Sequence, residues 1–239
     1  MPNVEMSVVV PVFDEEEAAP KLAREIAAAF DGQAYEMVFV DDASRDGTRA
    51  ALVALQRELP SLRVLWHARN AGQSRAIRTG VMSARAPIVI TLDGDGQNDP
   101  ADAPRLAQRL MTRNDLAMIG GVRAKRQDSL GKRFASRIGN SARRALLHDG
   151  AVDTGCGLKA FRRDAFLRLP YFDHIHRYLP ALMLREGFAI DFEPVNHRHR
   201  ESGRSKYSNL GRLWASLSDL LGVMWLRTRA RNPGEISEA

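Results

Sequence analysis

The chain has 239 residues, of which 44% are hydrophobic and 27% are charged, and it has a single cysteine, Cys156. This length and composition predict a globular protein with one sizeable core and exclude a disordered or fibrous chain. One cysteine excludes an internal disulfide framework and favours a reducing, cytoplasmic setting.

Charge is unevenly distributed along the chain. Residues 1–120 hold 13 Lys and Arg against 17 Asp and Glu, a net charge of −4, whereas residues 121–239 hold 22 against 12, a net charge of +10. A basic excess in one half predicts a polyanionic partner, which could be nucleic acid, anionic lipid or a phosphorylated substrate.

The first residues, "MPNVEMSVVVPVFDEEE", are typical of a first strand and not of a signal peptide. They have no basic leader, and their short apolar run meets acidic residues at once. No segment offers the ~18 uninterrupted apolar residues that a membrane-spanning helix needs. The nearest candidate, Trp214 to Leu226, is too short and contains Asp219, so we expect no transmembrane span.

Short apolar strands alternate with amphipathic helical patterns through the first 120 residues. We predict strands at Ser7–Val12, Met37–Val40, Leu62–Trp66, Ile88–Leu92 and Leu116–Ile119. The helical patterns lie near Glu16–Phe30, Thr48–Leu59, Ser74–Ala84 and Ala101–Met111. Strands that are apolar almost throughout, and that alternate with helices, indicate an α/β fold with a mostly parallel sheet and helices on both faces.

The second half of the chain is less regular. In chain order it predicts a basic helix over Lys132–Leu147, a turn in "DTGCGLKAFRRD", a helix near Arg177–Glu186, and short strands at Ala189–Val195 and His197–Arg200. A last amphipathic helix is predicted from Asn209 to about Arg229, because apolar residues recur there at helical spacing. No break in composition is strong enough to indicate a second core.

Acidic residues follow several of the predicted strands. "PVFDEEE" comes at the end of the first strand, "DDASRDGT" follows the second and "DGDGQNDP" follows the fourth. In parallel sheets, ligands bind outside the carboxyl ends of the strands. We therefore expect these acidic groups to converge at one edge of the sheet.

The loop "DGDGQNDP" is a candidate metal site. Asp93 and Asp95 repel each other unless a cation lies between them, and Gln97 adds a carbonyl oxygen. Such an all-oxygen set suits Mg²⁺ or Mn²⁺. A calcium EF-hand is excluded because Asn98 stands at the position of its glycine and Pro104 at that of its glutamate. The His and Cys ligands that zinc prefers are missing.

The sequence alone leaves more than one role open for several acidic and histidine residues. Asp99 before Pro100 is a helix cap, and capping is an alternative for the two preceding aspartates as well. The histidine pairs His174/His176 and His197/His199 could hold a metal, but solvated or phosphate-contacting imidazoles are favoured. The dinucleotide, P-loop and GxSxG motifs are absent from the sequence.

Seven motifs, in order and spacing, resemble glycosyltransferase family 2, which has the GT-A fold. The first four are "VVVPVFDEE", "VDDASRDGT", "NAGQSRAIRTG" and "LDGDGQNDP". The other three, "DTGCGLKAFRRD", "HRYLPALMLREGF" and "EPVNHRHRESGRSKY", are similar to the branch that transfers sugars to polyprenyl or dolichyl phosphate, which includes the dolichyl-phosphate mannosyltransferases. The resemblance covers residues 6 to about 210.

The resemblance implies roles for residues at matching positions. Donor binding is implied for Pro11, Phe13, Glu15, Asp41 and Asp42, and metal binding is implied for Asp93, Asp95 and Gln97. A catalytic role is implied for Asp93 and Asp95, and also for Arg123 and Arg133, which would contact phosphate. Binding of the acceptor phosphate is implied for Arg200, Ser205 and Lys206. Phe13 and Asp14 replace the usual Tyr and Asn of the family, so base stacking is kept and one hydroxyl contact is lost.

The implied activity is a metal-dependent, inverting transfer of a sugar from a GDP- or UDP-linked donor to a polyprenyl phosphate, with Mg²⁺ or Mn²⁺ as cofactor. We expect a catalytic domain over residues 1–207, with a nucleotide-sugar half at 1–120 and an acceptor half at 121–207. Residues 208–239 then form an amphipathic helix and a polar tail. The implied location is peripheral, on the cytoplasmic face of the membrane.

Alternatives remain for the acceptor and for the last helix. The acceptor could be another lipid or a saccharide, and the basic half could instead indicate a nucleic-acid-binding protein, although acidic strand ends would repel phosphate without a metal. Asn209–Arg229 could lie in the membrane interface, pack on the core or on a second copy of the chain, or dock on a small membrane protein. We expect no nucleic-acid partner.

Overall fold

A computed structural model describes residues 4–124, 146–198 and 209–231, with side chains in the last segment described from residue 217. Its strands are β1 (Met6–Val12), β2 (Tyr35–Asp41), β3 (Leu62–Trp66), β4 (Ile88–Thr91), β5 (Leu116–Arg123), β6 (Lys159–Arg162) and β7 (Ala189–Val195). Its helices are α1 (Ala18–Ala29), α2 (Thr48–Leu55), α3 (Gln73–Ser83), α4 (Ala103–Thr112), α5 (Arg163–Arg168), α6 (Leu179–Arg185) and α7 (Asn209–Arg229).

The seven strands form one sheet in the order β3-β2-β1-β4-β6-β5-β7. β1 pairs in parallel with both β2 and β4, and β2 pairs in parallel with β3. β6 runs antiparallel to β4 and β5, and β7 is parallel to β5. The predicted fold class, a mostly parallel α/β sheet of the GT-A type, is confirmed.

Helices cover both faces of this sheet. Along β1, Val8, Val10 and Val12 point into a core shared with α1, α2 and α4. Val9 points to the other face, into a core shared with α3, α5, α6 and α7. Alternate residues of a strand face opposite sides of a sheet, so a strand buried on both faces is apolar throughout. This explains the uninterrupted apolar runs in the sequence.

Several predicted elements differ from the structure. The segment predicted as a turn contains β6, only four residues long and bounded by Lys159 and Arg162. The predicted strand His197–Arg200 is wrong in its described part, because His197 makes only an isolated bridge with Asn98. Helix α2 ends at Leu55, four residues earlier than predicted.

The predicted helix Lys132–Leu147 falls almost entirely outside the described residues, which resume at Leu146. Over the three described segments, no helix has the length and apolar character that crossing a bilayer requires.

Candidate active site

A cleft of about 830 Å³ opens at the carboxyl ends of β1, β2 and β4. Seven of the residues predicted from the strand-end motifs line it, namely Pro11, Phe13, Glu15, Asp42, Asp93, Asp95 and Gln97. The predicted convergence of acidic strand ends is therefore observed, because the three strands are neighbours in the sheet and run in the same direction.

The loops after β1 and β2 are joined by hydrogen bonds. The Asp14 backbone N–H donates to Ser44 Oγ at 2.9 Å, and the Arg45 N–H donates to Asp14 Oδ1 at 2.7 Å. The Glu15 N–H donates to Thr48 Oγ1 at 2.8 Å. Asp14 has a φ of 51°, a left-handed conformation that Asp tolerates better than most residues. This edge of the cleft thus has a defined shape before any ligand binds.

Asp42 has a structural role as well as a place in the cleft. It is only 3% exposed, and its Oδ2 accepts from the Gly72 N–H at 2.7 Å. Its Oδ1 accepts from the Ala71 N–H at 2.9 Å and from His67 Nδ1 at 2.7 Å. These contacts hold the loop that leads into α3, whose first residues also line the cleft.

Asp41 and Arg123, both predicted site residues, do not line the cleft. The carboxylate of Asp41 is completely buried and accepts from the Ser44 N–H at 2.9 Å and from Arg49 Nε at 3.3 Å. Arg123 makes a two-pronged ion pair with Asp153, at 2.6 Å from Nε and 2.7 Å from Nη2. The two contacts of Asp41 therefore give it a role in shaping the loop after β2.

Four further predicted residues, Arg133, Arg200, Ser205 and Lys206, lie outside the described residues.

Asp93 and Asp95 form the carboxylate pair of the cleft. Burial, together with the nearby charge of Asp95, raises the pKa of Asp93 to about 6. Gln73 Nε2 donates to Asp93 Oδ1 at 2.8 Å, and Asp95 Oδ1 accepts from the Gln97 N–H at 3.1 Å. Burial first and like-charge repulsion second both disfavour ionised Asp93, and a bound cation would offset both.

Two glycines make room for this pair. A Cβ on Gly157 would overlap the Asp93 carboxylate, and a Cβ on Gly94 would lie 2.6 Å from the Pro11 carbonyl oxygen. The backbone of Gly157 therefore forms a cradle against which Asp93 rests. The residues present fit a divalent cation of the Mg²⁺ or Mn²⁺ type, because the oxygens lie in a restricted, partly buried space.

The protein itself offers few oxygen ligands for a cation. The Gln97 backbone carbonyl accepts from the Arg198 N–H at 2.9 Å, so its side-chain carbonyl is the candidate ligand. Within the described segments, no cluster of three or more His, Cys, Asp or Glu side chains could hold a metal. A cation here would take its remaining ligands from water and from ligand oxygens, as Mg²⁺ commonly does at phosphate sites.

Lys159 is a cleft residue that the sequence did not reveal. It begins β6, is 5% exposed, and donates from Nζ to the Cys156 carbonyl. Burial lowers its pKa, while the charges of Cys156, Asp93 and Asp153 raise it. Its own charge lowers the pKa of Asp93 and so favours the ionised form of that ligand. A Lys at one end of a four-residue strand that also ends in Arg162 is a weak signal in the sequence, and only the position of the strand in the sheet shows that Lys159 reaches the cleft.

His176 and Arg177, in a 3₁₀ turn before α6, also line the cleft. His176 Nδ1 and Ser74 Oγ share a hydrogen bond of 2.7 Å. Burial, followed by the charge of Arg177, holds the pKa of His176 well below its usual value, so its imidazole is neutral at pH 7. No metal pair forms with His174, whose ring lies 6.5 Å away, edge to face.

The chain was compared with known families and proteins. Residues 7–169 match the family model described as glycosyl transferase family 2. The chain is 33% identical, over 97% of its length, to dodecaprenyl-phosphate galacturonate synthase of Rhizobium johnstonii. It is 37% identical, over 92% of its length, to undecaprenyl-phosphate 4-deoxy-4-formamido-L-arabinose transferase of Pseudomonas aeruginosa. It spans 70% of the first relative and 65% of the second.

Solved structures show the same fold. Glucosyl-3-phosphoglycerate synthase from Mycobacterium tuberculosis, in complex with Mn²⁺, UDP and phosphoglyceric acid, superposes with a TM-score of 0.71 at 20% identity, over 97% of this chain and 81% of that one. The family model covers more than half of the chain, and a relative at 33% identity spans nearly all of it. The chain belongs to glycosyltransferase family 2.

Proposed function

We propose that this glycosyltransferase moves a sugar from a UDP-linked donor to a polyprenyl phosphate, with Mg²⁺ or Mn²⁺ as cofactor. The observation that carries the proposal is the convergence of Phe13, Asp42 and the Asp93–Asp95 pair in one cleft. The two relatives described above support the acceptor, because both are named for a polyprenyl phosphate while the sugars in their names differ. The proposal therefore commits to the acceptor and leaves the sugar to experiment.

The nucleotide would lie at the end of the cleft formed by the loops after β1 and β2. Phe13 offers an aromatic ring for stacking, and Pro11 and Glu15 lie beside it in the lining. Asp42 would accept a hydrogen bond from the base. A carboxylate has about four acceptor positions, so it can do this while it holds the loop before α3.

The cation would be held by Asp93, Asp95 and the side chain of Gln97. When bound, it supplies positive charge that stabilises the diphosphate leaving group. Gln73 and Lys159 keep Asp93 oriented and ionised for this purpose.

The transfer is a single displacement at the anomeric carbon. An oxygen of the acceptor phosphate forms a bond to that carbon, and the bond from the carbon to the donor diphosphate breaks, so that its electron pair leaves with the nucleoside diphosphate. A phosphate monoester is an anion at neutral pH, with a second pKa of about 6. The chain therefore needs no general base to deprotonate the nucleophile, and the lowered pKa of His176 makes its imidazole a weak base.

Basic side chains would hold the acceptor phosphate close to the leaving diphosphate. We assign this role to Arg123, Arg133, Arg200 and Lys206, with Ser205 as a neutral donor. Arg123 lies beside Gly155 of the cleft wall, and its charge lowers the pKa of Asp93. It would therefore act on the phosphate by its charge while Asp153 holds its guanidinium group. Guanidinium groups suit the task because they bind phosphate oxygens in pairs.

Helix α7 would place the enzyme on the cytoplasmic face of the membrane, where the lipid acceptor lies. Val223 on its inner face is buried against the core, whereas Leu217, Leu221 and Trp225 are 48%, 58% and 59% exposed. These three residues, the α7 outer stripe, recur every four positions and so lie on one face of the helix. Arg229 packs over the Trp225 ring at 5.8 Å, so its charge would meet anionic headgroups if the stripe lies on a membrane.

The activity is tested with the purified chain, Mn²⁺, a panel of UDP-sugars and a polyprenyl phosphate. Mass spectrometry should detect a glycosylated polyprenyl phosphate with one of the donors, and EDTA should abolish it. Transfer only to another lipid or to a saccharide would overturn the acceptor assignment.

The membrane assignment is tested by flotation with vesicles that contain phosphatidylglycerol. Leu221→Glu should reduce the floated fraction several-fold, because it places a charge in the α7 outer stripe, and Val53→Glu, which places the same charge on an exposed apolar residue of α2, is the matched control. Equal flotation of wild type and Leu221→Glu, or a change from dimer to monomer in Leu221→Glu, would assign the stripe to a protein partner instead.

A further inference from the structure

Helix α7 contacts the cleft region through a hydrogen bond between two side chains. His174 Nδ1 donates to Asp219 Oδ2 at 2.8 Å, and the two side chains are 31% and 20% exposed. Near Asp219 on the same helix, Leu220 and Val223 pack on the core that α7 shares with α3 and α6. The pair is therefore held on a helix with a defined position, and it lies apart from the α7 outer stripe.

His174 begins the turn that carries two cleft residues. Its φ of 62° is in the left-handed region, which costs a non-glycine residue free energy unless its surroundings hold it there. Its carbonyl accepts from the Arg177 N–H at 3.0 Å. Ile175 is fully buried, and His176 and Arg177 reach the cleft. The direction in which these two side chains point thus depends on the conformation of His174.

The same turn is connected to the candidate metal ligands. His176 shares its hydrogen bond with Ser74 at the start of α3. The neighbouring residue Gln73 donates to Asp93 Oδ1. A series of contacts therefore leads from Asp219 on α7, through the 174–177 turn and the start of α3, to Asp93.

We propose that Asp219 and His174 are positioning residues for sugar transfer. Neither lines the cleft. The hydrogen bond between them holds the 174–177 turn so that His176 and Arg177 face the reacting groups. Rates of group transfer respond to displacements of about 1 Å in such residues, even when substrate binding is unchanged. This inference rests on the proposed transfer reaction and adds that α7 takes part in it.

The test uses the full chain with Asp219→Ala, Asp219→Asn and His174→Asn. Asn is among the residues that best tolerate a left-handed backbone, so His174→Asn removes the imidazole without adding strain. We expect kcat to fall on the order of tenfold or more in Asp219→Ala and His174→Asn. Asp219→Asn keeps an acceptor oxygen and should fall between Asp219→Ala and wild type. The dissociation constant for UDP with Mn²⁺ should stay within about twofold, because the substitutions leave the metal ligands and the hydrogen bond from Gln73 to Asp93 in place.

The matched control is Ser218→Ala, an exposed neighbour on α7, which should leave kcat unchanged. A second readout does not depend on turnover: the ¹⁵N chemical shifts of the His176 ring should move in Asp219→Ala and not in Ser218→Ala. Unchanged kcat and unchanged His176 shifts would overturn the inference. So would an equal loss of kcat and UDP affinity with a lowered melting temperature, because that indicates general destabilisation. Absence of transfer by wild type would instead overturn the proposed function, and the His176 shifts would still test the positioning role.

Discussion

The two parts of the cleft are built from different kinds of contact. The nucleotide side, residues 11–15 and 42–48, is formed by loops after adjacent parallel strands, and their backbone N–H groups donate to side chains of the neighbouring loop. The transfer side, residues 154–159 and 174–179, depends on side chains from distant segments, such as Ser74 for His176 and Asp219 for His174. The Asp93–Asp95 pair lies between the two sides and belongs to both.

This difference has a physical consequence. A loop held by several hydrogen bonds from backbone N–H groups keeps its shape when a surface side chain outside those bonds changes, so the nucleotide side should tolerate substitutions that leave the accepting side chains of Asp14, Ser44 and Thr48 in place. The transfer side depends on single buried contacts, and each removed contact leaves an unsatisfied polar or charged group. Substitutions in the two sides, and in the carboxylate pair between them, should therefore separate nucleotide binding from the rate of transfer.

The largest effect is expected for Asp95→Ala. Loss of one of two carboxylate ligands should lower Mn²⁺-dependent transfer on the order of 10³-fold or more, because charge on the leaving diphosphate is then uncompensated. The circular dichroism spectrum should be unchanged. Asp99→Ala is the matched control: Asp99 caps the Pro100–Asp102 turn, so its loss should cost about 1 kcal/mol of folding free energy and little activity. Retained transfer by Asp95→Ala would refute the metal assignment.

Gly157→Ala should have the next largest effect. The added methyl group would overlap the Asp93 carboxylate and force it out of its cradle. We expect transfer to fall on the order of 10²-fold, as is typical when a catalytic group is displaced by about 1 Å. Titration calorimetry should show a parallel loss of Mn²⁺ binding in the presence of UDP.

Gly222→Ala provides the comparison for this substitution, because a Cβ there meets nothing within 4 Å on helix α7. It should leave activity intact. Normal Mn²⁺ binding by Gly157→Ala would show that Asp93 is not a ligand.

Asp42→Ala tests the nucleotide side. Three donors would lose their acceptor, so the free energy of unfolding should fall by about 1–3 kcal/mol in urea denaturation. The KM for the UDP-sugar should rise about tenfold, because the group assigned to the base is gone and the loop before α3 loosens. The exposed Asp31→Ala is the control and should change neither quantity. A lowered kcat with an unchanged KM would contradict the assignment of Asp42 to the nucleotide.

The smallest effect concerns pH. Protons compete with the cation for Asp93, so wild-type Mn²⁺ affinity should be constant above about pH 7 and should fall as the pH drops through about 6. Lys159→Met removes a charge that lowers the pKa of Asp93, so this decline should begin at a higher pH. At pH 8 the Mn²⁺ affinity of Lys159→Met should equal that of wild type, because Asp93 is ionised in both proteins.

Lys159→Arg keeps the charge and should follow the wild-type pH profile. Identical pH profiles for Lys159→Met and wild type would show that Lys159 does not act on Asp93.

The sequence predicts most of the strands and the cleft residues that directly follow them. β1 to β5 and the cleft residues Phe13, Asp93 and Asp95 follow from apolar strands that end in polar loops. β7 is predicted as well, although it contains Asp191 and Glu193. The sequence also predicted both acids of "DD" as donor-binding residues. Consecutive residues at a strand end point to opposite sides, which explains why Asp42 lines the cleft and Asp41 is buried behind it.

The remaining features depend on contacts that no local pattern encodes. β6 has four residues with a charged residue at each end, so neither its length nor its hydrophobicity distinguishes it from a turn. Lys159 becomes a cleft residue only because β6 lies between β4 and β5. The partners of His174 and His176 lie 45 and 102 residues away in sequence, so only the tertiary fold brings them together.

The central claim is that a divalent cation held by Asp93, Asp95 and Gln97 binds the diphosphate of the nucleotide. Calorimetric titration of UDP into wild type and Asp93→Asn, with and without Mn²⁺, tests it most directly. Asn has nearly the same shape and can still accept from Gln73, so it removes the charge alone. We predict that Mn²⁺ raises the UDP affinity of wild type at least about tenfold, or 1.4 kcal/mol, and leaves that of Asp93→Asn unchanged. Equal UDP affinity with and without Mn²⁺ in wild type would contradict the claim.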